Sequence, residues 1–173
     1  MSKNSEAIMK QLNIGQREKI IEQALVYLQQ EERRYLDEAA ERLEELQQFG
    51  SVELGGDESS DGGSYLQIQG LQQVAIINAT TTRDKANLIS QMNLEDSYER
   101  ADLGVILEVS DTEGTYHFML APHGVREPIR AGALEVELIS KDTALAKEFM
   151  GQQPGYSAVV GEARIEYKLE RLL

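Results

Sequence analysis

From Gln16 to Gln48 the chain has no Gly and no Pro, and apolar residues recur at Ile21, Leu25, Leu28, Tyr35, Ala39, Leu43 and Leu46. Steps of three, four and seven residues lay these side chains along one face of an α-helix. The intervening residues are rich in Glu, Gln, Ala and Arg, which favour helix. Glu38 and Arg42 stand four apart, in the order that supports a helical ion pair. At about 1.5 Å per residue, such a helix reaches roughly 50 Å and calls for a partner helix. Residues 1–14 are polar with scattered apolar positions and read as a tail or a short helix.

The helical pattern stops at Phe49-Gly50. Gly55-Gly56 and Gly62-Gly63 then bracket Asp57, Glu58 and Asp61, which marks an acidic loop. Over residues 65–93 the apolar positions Leu71, Val74, Ala75, Ile77, Leu88, Ile89 and Met92 partly follow helical spacing. Val74, Ile76, Ile77 and the Thr80-Thr81-Thr82 run are β-branched, so a strand through 73–80 stands beside the helical reading. As a helix, this segment matches the first in length. The two then form an antiparallel hairpin with the acidic loop at its far end.

After Asn93 the period shortens to two. Residues 103–109, 115–121, 133–139, 157–163 and 164–172 read as strands, and Asp111 to Gly114 as the turn joining the first two. Only Asp142 to Met150 looks helical among them. The expected fold class is therefore α+β, with a helical hairpin over 1–95, its tip near 55–63, and a small antiparallel β domain over 100–173.

Composition narrows the function. The net charge of −13 disfavours direct binding to nucleic acid and favours a partner with a positive face. With no Cys there is neither a disulfide framework nor thiolate chemistry. The first ten residues lack the apolar run of a signal peptide, and no window approaches a membrane span, so a cytoplasmic protein with no membrane partner is expected. His117 and His123 have no metal-ligand spacing, and no phosphate-binding Gly-rich loop or nucleophile triad is present.

Ile139 to Gly155 reads ISKDTALAKEFMGQQPG. Ile139, Ser140, Thr143, Leu145, Ala146, Lys147, Gly151 and Gly155 in this order resemble the C-terminal signature of the GreA/GreB family of bacterial transcript cleavage factors. Two positions depart from it: Ala144 stands where the family has Pro, and Tyr156 where it has Asp. The resemblance implies an N-terminal antiparallel coiled coil followed by an FKBP-like domain. It also implies that Asp57 and Asp61, with Glu58 as the less favoured second acid, form a metal-assisting tip followed by Tyr65, at a spacing one residue off the family's.

By the same resemblance the partner is bacterial RNA polymerase, whose secondary channel admits the arm, with the nascent RNA 3′ end nearby. Mg²⁺ is shared with the polymerase active site and not bound stably by this chain alone. Arg33, Arg34 and Arg42 correspond to the family's RNA-contacting basic patch, here outnumbered by Glu and Asp. Ser140, Thr143, Leu145, Lys147, Gly151 and Gly155 mark the region expected to dock on polymerase. The chain would be a monomeric accessory factor rather than an enzyme. Two alternatives stand beside cleavage stimulation: a Gre-like channel binder that inhibits transcription, and a prolyl isomerase, the weakest because the domain's few aromatics (no Trp) make a poor pocket.

Overall fold

The computed structural model describes residues 3–52, 62–94 and 98–173, and the side chains of 14–48, 63–94 and 98–173. They divide into two compact units, Met1–Leu25 with Asn87–Leu173, and Val26–Ala86.

Helix α1 spans Lys3–Val52 and α2 spans Gly62–Ser90. The first is longer than the expected 16–48. It passes through Gly15, whose cost in a helix is only about 1 kcal/mol. The strand considered for 73–80 is helix instead. Within it the Thr80 hydroxyl donates back to the Ile76 carbonyl at 2.9 Å, so this side chain bonds inside the helix and does not terminate it.

In the unit Val26–Ala86 the two helices form an antiparallel hairpin. The Arg83 guanidinium pairs with Glu32 at 2.6–2.7 Å. Glu32 lies twenty residues before the end of α1, and Arg83 twenty-one after the start of α2. Nearly equal distances from the connection require opposite directions.

The seam between them is not quite the expected one. On α1, Leu28, Ala39 and Leu46 are buried and Tyr35 half-buried, but Leu43 is exposed. On α2 the buried or half-buried positions of this unit are Ile68, Gln72, Ala75, Asn78, Ala79, Thr82, Lys85 and Ala86, mostly in alternating steps of four and three. Small residues sit at the centre of this seam, and Leu71, Val74 and Ile77 face solvent.

The other unit carries a six-stranded sheet in the order β3-β4-β2-β1-β6-β5. Its strands are β1 (Ile106–Ser110), β2 (Thr115–Ala121), β3 (Ile129–Ala131), β4 (Leu134–Ser140), β5 (Ser157–Val160) and β6 (Ile165–Leu172). Helix α3 (Ala144–Phe149) lies between β4 and β5 in sequence. The five expected strands are present, and β3 is an addition too short, just after Pro128, to register as a period-two run.

The sheet departs from the antiparallel expectation at one pair, β2 with β4, which run parallel. The cause is β3, which turns back along the outer edge of β4 and reverses the chain once more before it rejoins β2. The expected 111–114 turn closes β1 onto β2. The Asp111 carboxylate accepts from the backbone N–H groups of Glu113 (2.7 Å) and Gly114 (3.0 Å).

One face of the sheet buries Leu107, Val109, Leu120, Val160 and Leu169 with Ala146 and Phe149 of α3. Phe149 is fully buried and meets Tyr156 edge-on at 5.7 Å between ring centres.

Candidate functional site

The signature segment forms a strand end, a capped turn, α3 and a reversal. Ser140 ends β4, and its hydroxyl donates to the Pro122 carbonyl and accepts from the Asp142 N–H, both at 3.3 Å. Thr143 caps α3: its hydroxyl donates to the Ser140 carbonyl (2.9 Å) and accepts from the Ala146 N–H (3.3 Å). One hydroxyl therefore bonds to both the strand end and the helix start. Leu145 is half-buried and packs against the core, Ala146 is buried, and Lys147 is exposed in the last turn, where a cation complements the helix dipole.

Gly151 and Gly155 take positive φ (+78° and +96°), which side chains rarely adopt. The Gly151 N–H donates to the Ala101 carbonyl at 2.7 Å, and the Ala101 N–H to Gln152 at 2.8 Å, so the end of α3 is bonded to the segment before β1. The Gly155 N–H donates to Leu169 at 2.7 Å and ties the reversal to β6. Ser140, Thr143, Ala146, Gly151 and Gly155 thus have local structural roles. Beside them lies an open cleft of about 520 Å³ lined by Tyr98, Arg100, Asp102, Met150 and Gly151.

Asp57, Glu58 and Asp61 lie outside the described residues. Arg33, Arg34 and Arg42, all on α1, are described. Arg42 bonds both oxygens of Glu45 at 3.0 Å, not Glu38 as its spacing predicts. That bond and the Glu45 charge raise the Arg42 pKa. Arg34 lies 3.8 Å from Glu31 and over the Tyr35 ring at 5.0 Å. Arg33 is exposed beside Asp37 and Glu41 in a shallow groove. The helix's own carboxylates therefore offset most of this positive charge.

A charged cluster on the sheet escaped the sequence reading. Arg171 of β6 grips both oxygens of Glu108 on β1 (2.9 and 2.6 Å), and His117 Nε2 of β2 lies 3.5 Å from Glu108. The Arg171 hydrogen bonds hold the Glu108 carboxyl below its usual range. Only strand pairing brings these three together, so no local spacing signals them. Among the described residues no three His, Asp or Glu side chains are arranged to hold a metal, and no helix is long and apolar enough to cross a membrane.

No protein-family model and no curated protein matches the chain. Among solved structures, GreA factor homolog 1 of Thermus thermophilus is similar at 15% identity and a TM-score of 0.34, over 86% of this chain and 94% of that one. The Thermus aquaticus homolog is similar at 16% and 0.33, over 90% and 94%. A further structure, of the transcription factor Gfh1, is similar at 17% and 0.33, over 86% and 92%. Likeness at this level carries no argument about activity.

Proposed function

We propose that this chain is an accessory factor of the GreA/GreB type that enters the secondary channel of bacterial RNA polymerase and stimulates cleavage of backtracked transcripts. The observation that carries the reading is the ordered signature Ile139–Gly155 in a chain whose helical hairpin is joined by the acidic segment 53–61. Asp57, Glu58 and Asp61 offer only hard oxygen donors, the class that Mg²⁺ prefers. In this proposal Asp57 and Asp61 complete the ligand set of a metal shared with polymerase, and a neighbouring carboxylate orients the attacking water or takes its proton. Mg²⁺ bound there supplies charge stabilisation to the attacking and leaving oxygens. The hairpin delivers the carboxylates, and the α3 segment, with Lys147 and Leu145, docks at the channel mouth.

The test is RNA cleavage in a stalled, backtracked elongation complex with Mg²⁺, comparing wild type with Asp57→Ala/Asp61→Ala. Stimulation lost in the double variant supports the proposal. Stimulation that survives it overturns the tip assignment.

A second reading, a channel binder that inhibits without stimulating cleavage, is favoured by the pairing of Arg42 with Glu45 and of Arg34 with Glu31, which weakens RNA contact. Binding to polymerase and reduced elongation, with no added cleavage, would select it.

A further inference from the structure

The face of the sheet that carries α3 is covered unevenly. Residues paired across strands share a face. Tyr116 pairs with the core residue Val109, and Phe118, two residues on, pairs with Glu137 of β4. All three of Tyr116, Phe118 and Glu137 therefore stand on the α3 side of the sheet. Helix α3 packs against β5, at the far edge. On the β2–β4 side of the same face, Tyr116 and Phe118 stay half-buried and Glu137 is exposed.

The two rings stack, 6.2 Å between centres and 21° between planes. The 111–114 turn brings two carboxylates to the Tyr116 end of this pair: burial, and then the charges of Asp111 and Glu113, push the Tyr116 phenol pKa up. Glu137 stands at the Phe118 end. Among the described residues no Lys or Arg pairs with Glu113 or Glu137. Arg130 of neighbouring β3 is held by Glu135 at 3.0 Å.

We propose that this aromatic and acidic patch is a docking site for an arginine side chain carried by a protein partner. The molecule contains the same arrangement elsewhere, filled by its own residues: the Arg34 guanidinium lies over the Tyr35 ring at 5.0 Å and 3.8 Å from Glu31. On the sheet the rings and carboxylates are in place and the cation comes from outside. Charge selects the occupant, because the negative faces of the rings and the flanking carboxylates attract the same sign. A guanidinium fits better than an ammonium, since its plane stacks on a ring while its edge donates to a carboxylate. Bases of a nucleic acid also stack on aromatic rings, but their phosphates would meet Glu113, Glu137 and a chain of −13. The site is separate from the signature segment and does not depend on polymerase being the partner.

Titration of the full chain with acetyl-Gly-Arg-Gly-amide, followed by amide-resolved NMR, tests it, with lysine and citrulline peptides in parallel. The arginine peptide should give saturable shifts confined to 111–118 and 135–138, with a Kd on the order of millimolar that weakens in high salt. Citrulline keeps the shape without the charge and should give none. Glu137→Gln, at an exposed position that leaves the fold intact, should weaken the arginine peptide about three-fold. Phe118→Leu should weaken it by about the same factor and remove the preference for arginine over lysine.

No saturable shift with the arginine peptide overturns the proposal. So do shifts spread along the acidic α1, equal binding of the arginine and citrulline peptides, or an affinity unchanged in Glu137→Gln. A short oligothymidylate that saturates the same residues when the arginine peptide does not makes the patch a nucleic-acid surface, and arginine docking is overturned. The assay contains no polymerase, so its failure leaves the proposed function standing, and loss of the proposed function leaves this site standing.

Discussion

The two helices of the hairpin reach the same secondary structure by different routes. Between Glu31 and Glu45, α1 carries ten charged side chains and strong helix formers, and its large apolar residues Leu28 and Leu46 point into the seam. Helix α2 is uncharged over its first twenty-one residues and rich in β-branched side chains, and it buries Ala75, Ala79 and Thr82 while exposing Val74 and Ile77. In α1 local preference and tertiary burial agree. In α2 burial overrides preference: small residues let the backbone approach its partner, and the larger side chains are left outside. Apolar residues at helical spacing therefore do not by themselves say which face is core.

The sharpest break of this contrast is a pair of substitutions on α2. Ala79→Asp places an unpaired charge in the seam and should cost more than about 2 kcal/mol, whereas Ile77→Asp should stay near about 0.5 kcal/mol. Urea unfolding of the two variants measures the difference, and equal losses would put the seam on the wrong face. On α1, Leu28→Ala should cost about 3 kcal/mol in the same assay, because Leu28 is 2% exposed. Gly70→Ala should raise stability by about 1 kcal/mol, since the added methyl meets nothing and α2 gains helix propensity, and a lower melting temperature would contradict that.

A smaller effect separates the sheet from the hairpin in acid. Arg171 depresses the Glu108 pKa in the folded state. The folded chain therefore stays ionised there to lower pH than the unfolded chain, whose carboxyl titrates near about 4.3. The stabilisation is fully present above that value and is lost as pH falls through the lower folded pKa. Melting temperatures across this window should fall less steeply in Glu108→Gln. Smallest is the Glu32–Arg83 pair, with Arg83 60% exposed: a double-mutant cycle should read about 0.5 kcal/mol and less in high salt.

How much was legible varies by element. The 111–114 turn was readable because Asp111 closes it with its own side chain. The helix at 142–150 was readable because Thr143 caps it from its N-terminal flank. Strand β3 was not, because three residues hold no period and its edge is specified by pairing with β4. In the α3 segment the residue order was legible, and coordinates added the reason for each type: a hydroxyl with two bonds at Thr143 and a left-handed backbone at Gly151. The α1 arginines were legible as charges, but their partners were not, since Arg42 selects Glu45 over Glu38 by side-chain geometry.

What the sequence alone determined is whatever depends on near neighbours along the chain: the long charged helix, the acidic Gly-bracketed segment, the period-two strands, the capped α3 turn and the order of the signature. These follow from backbone preferences and interactions within a few residues. Tertiary structure decided what depends on distant partners: that 73–80 is helix and which of its faces is buried, that β2 and β4 run parallel, and that Glu108, His117 and Arg171 meet. Burial and strand pairing join residues tens of positions apart, and their free energies outweigh local propensities of a few tenths of a kilocalorie per mole.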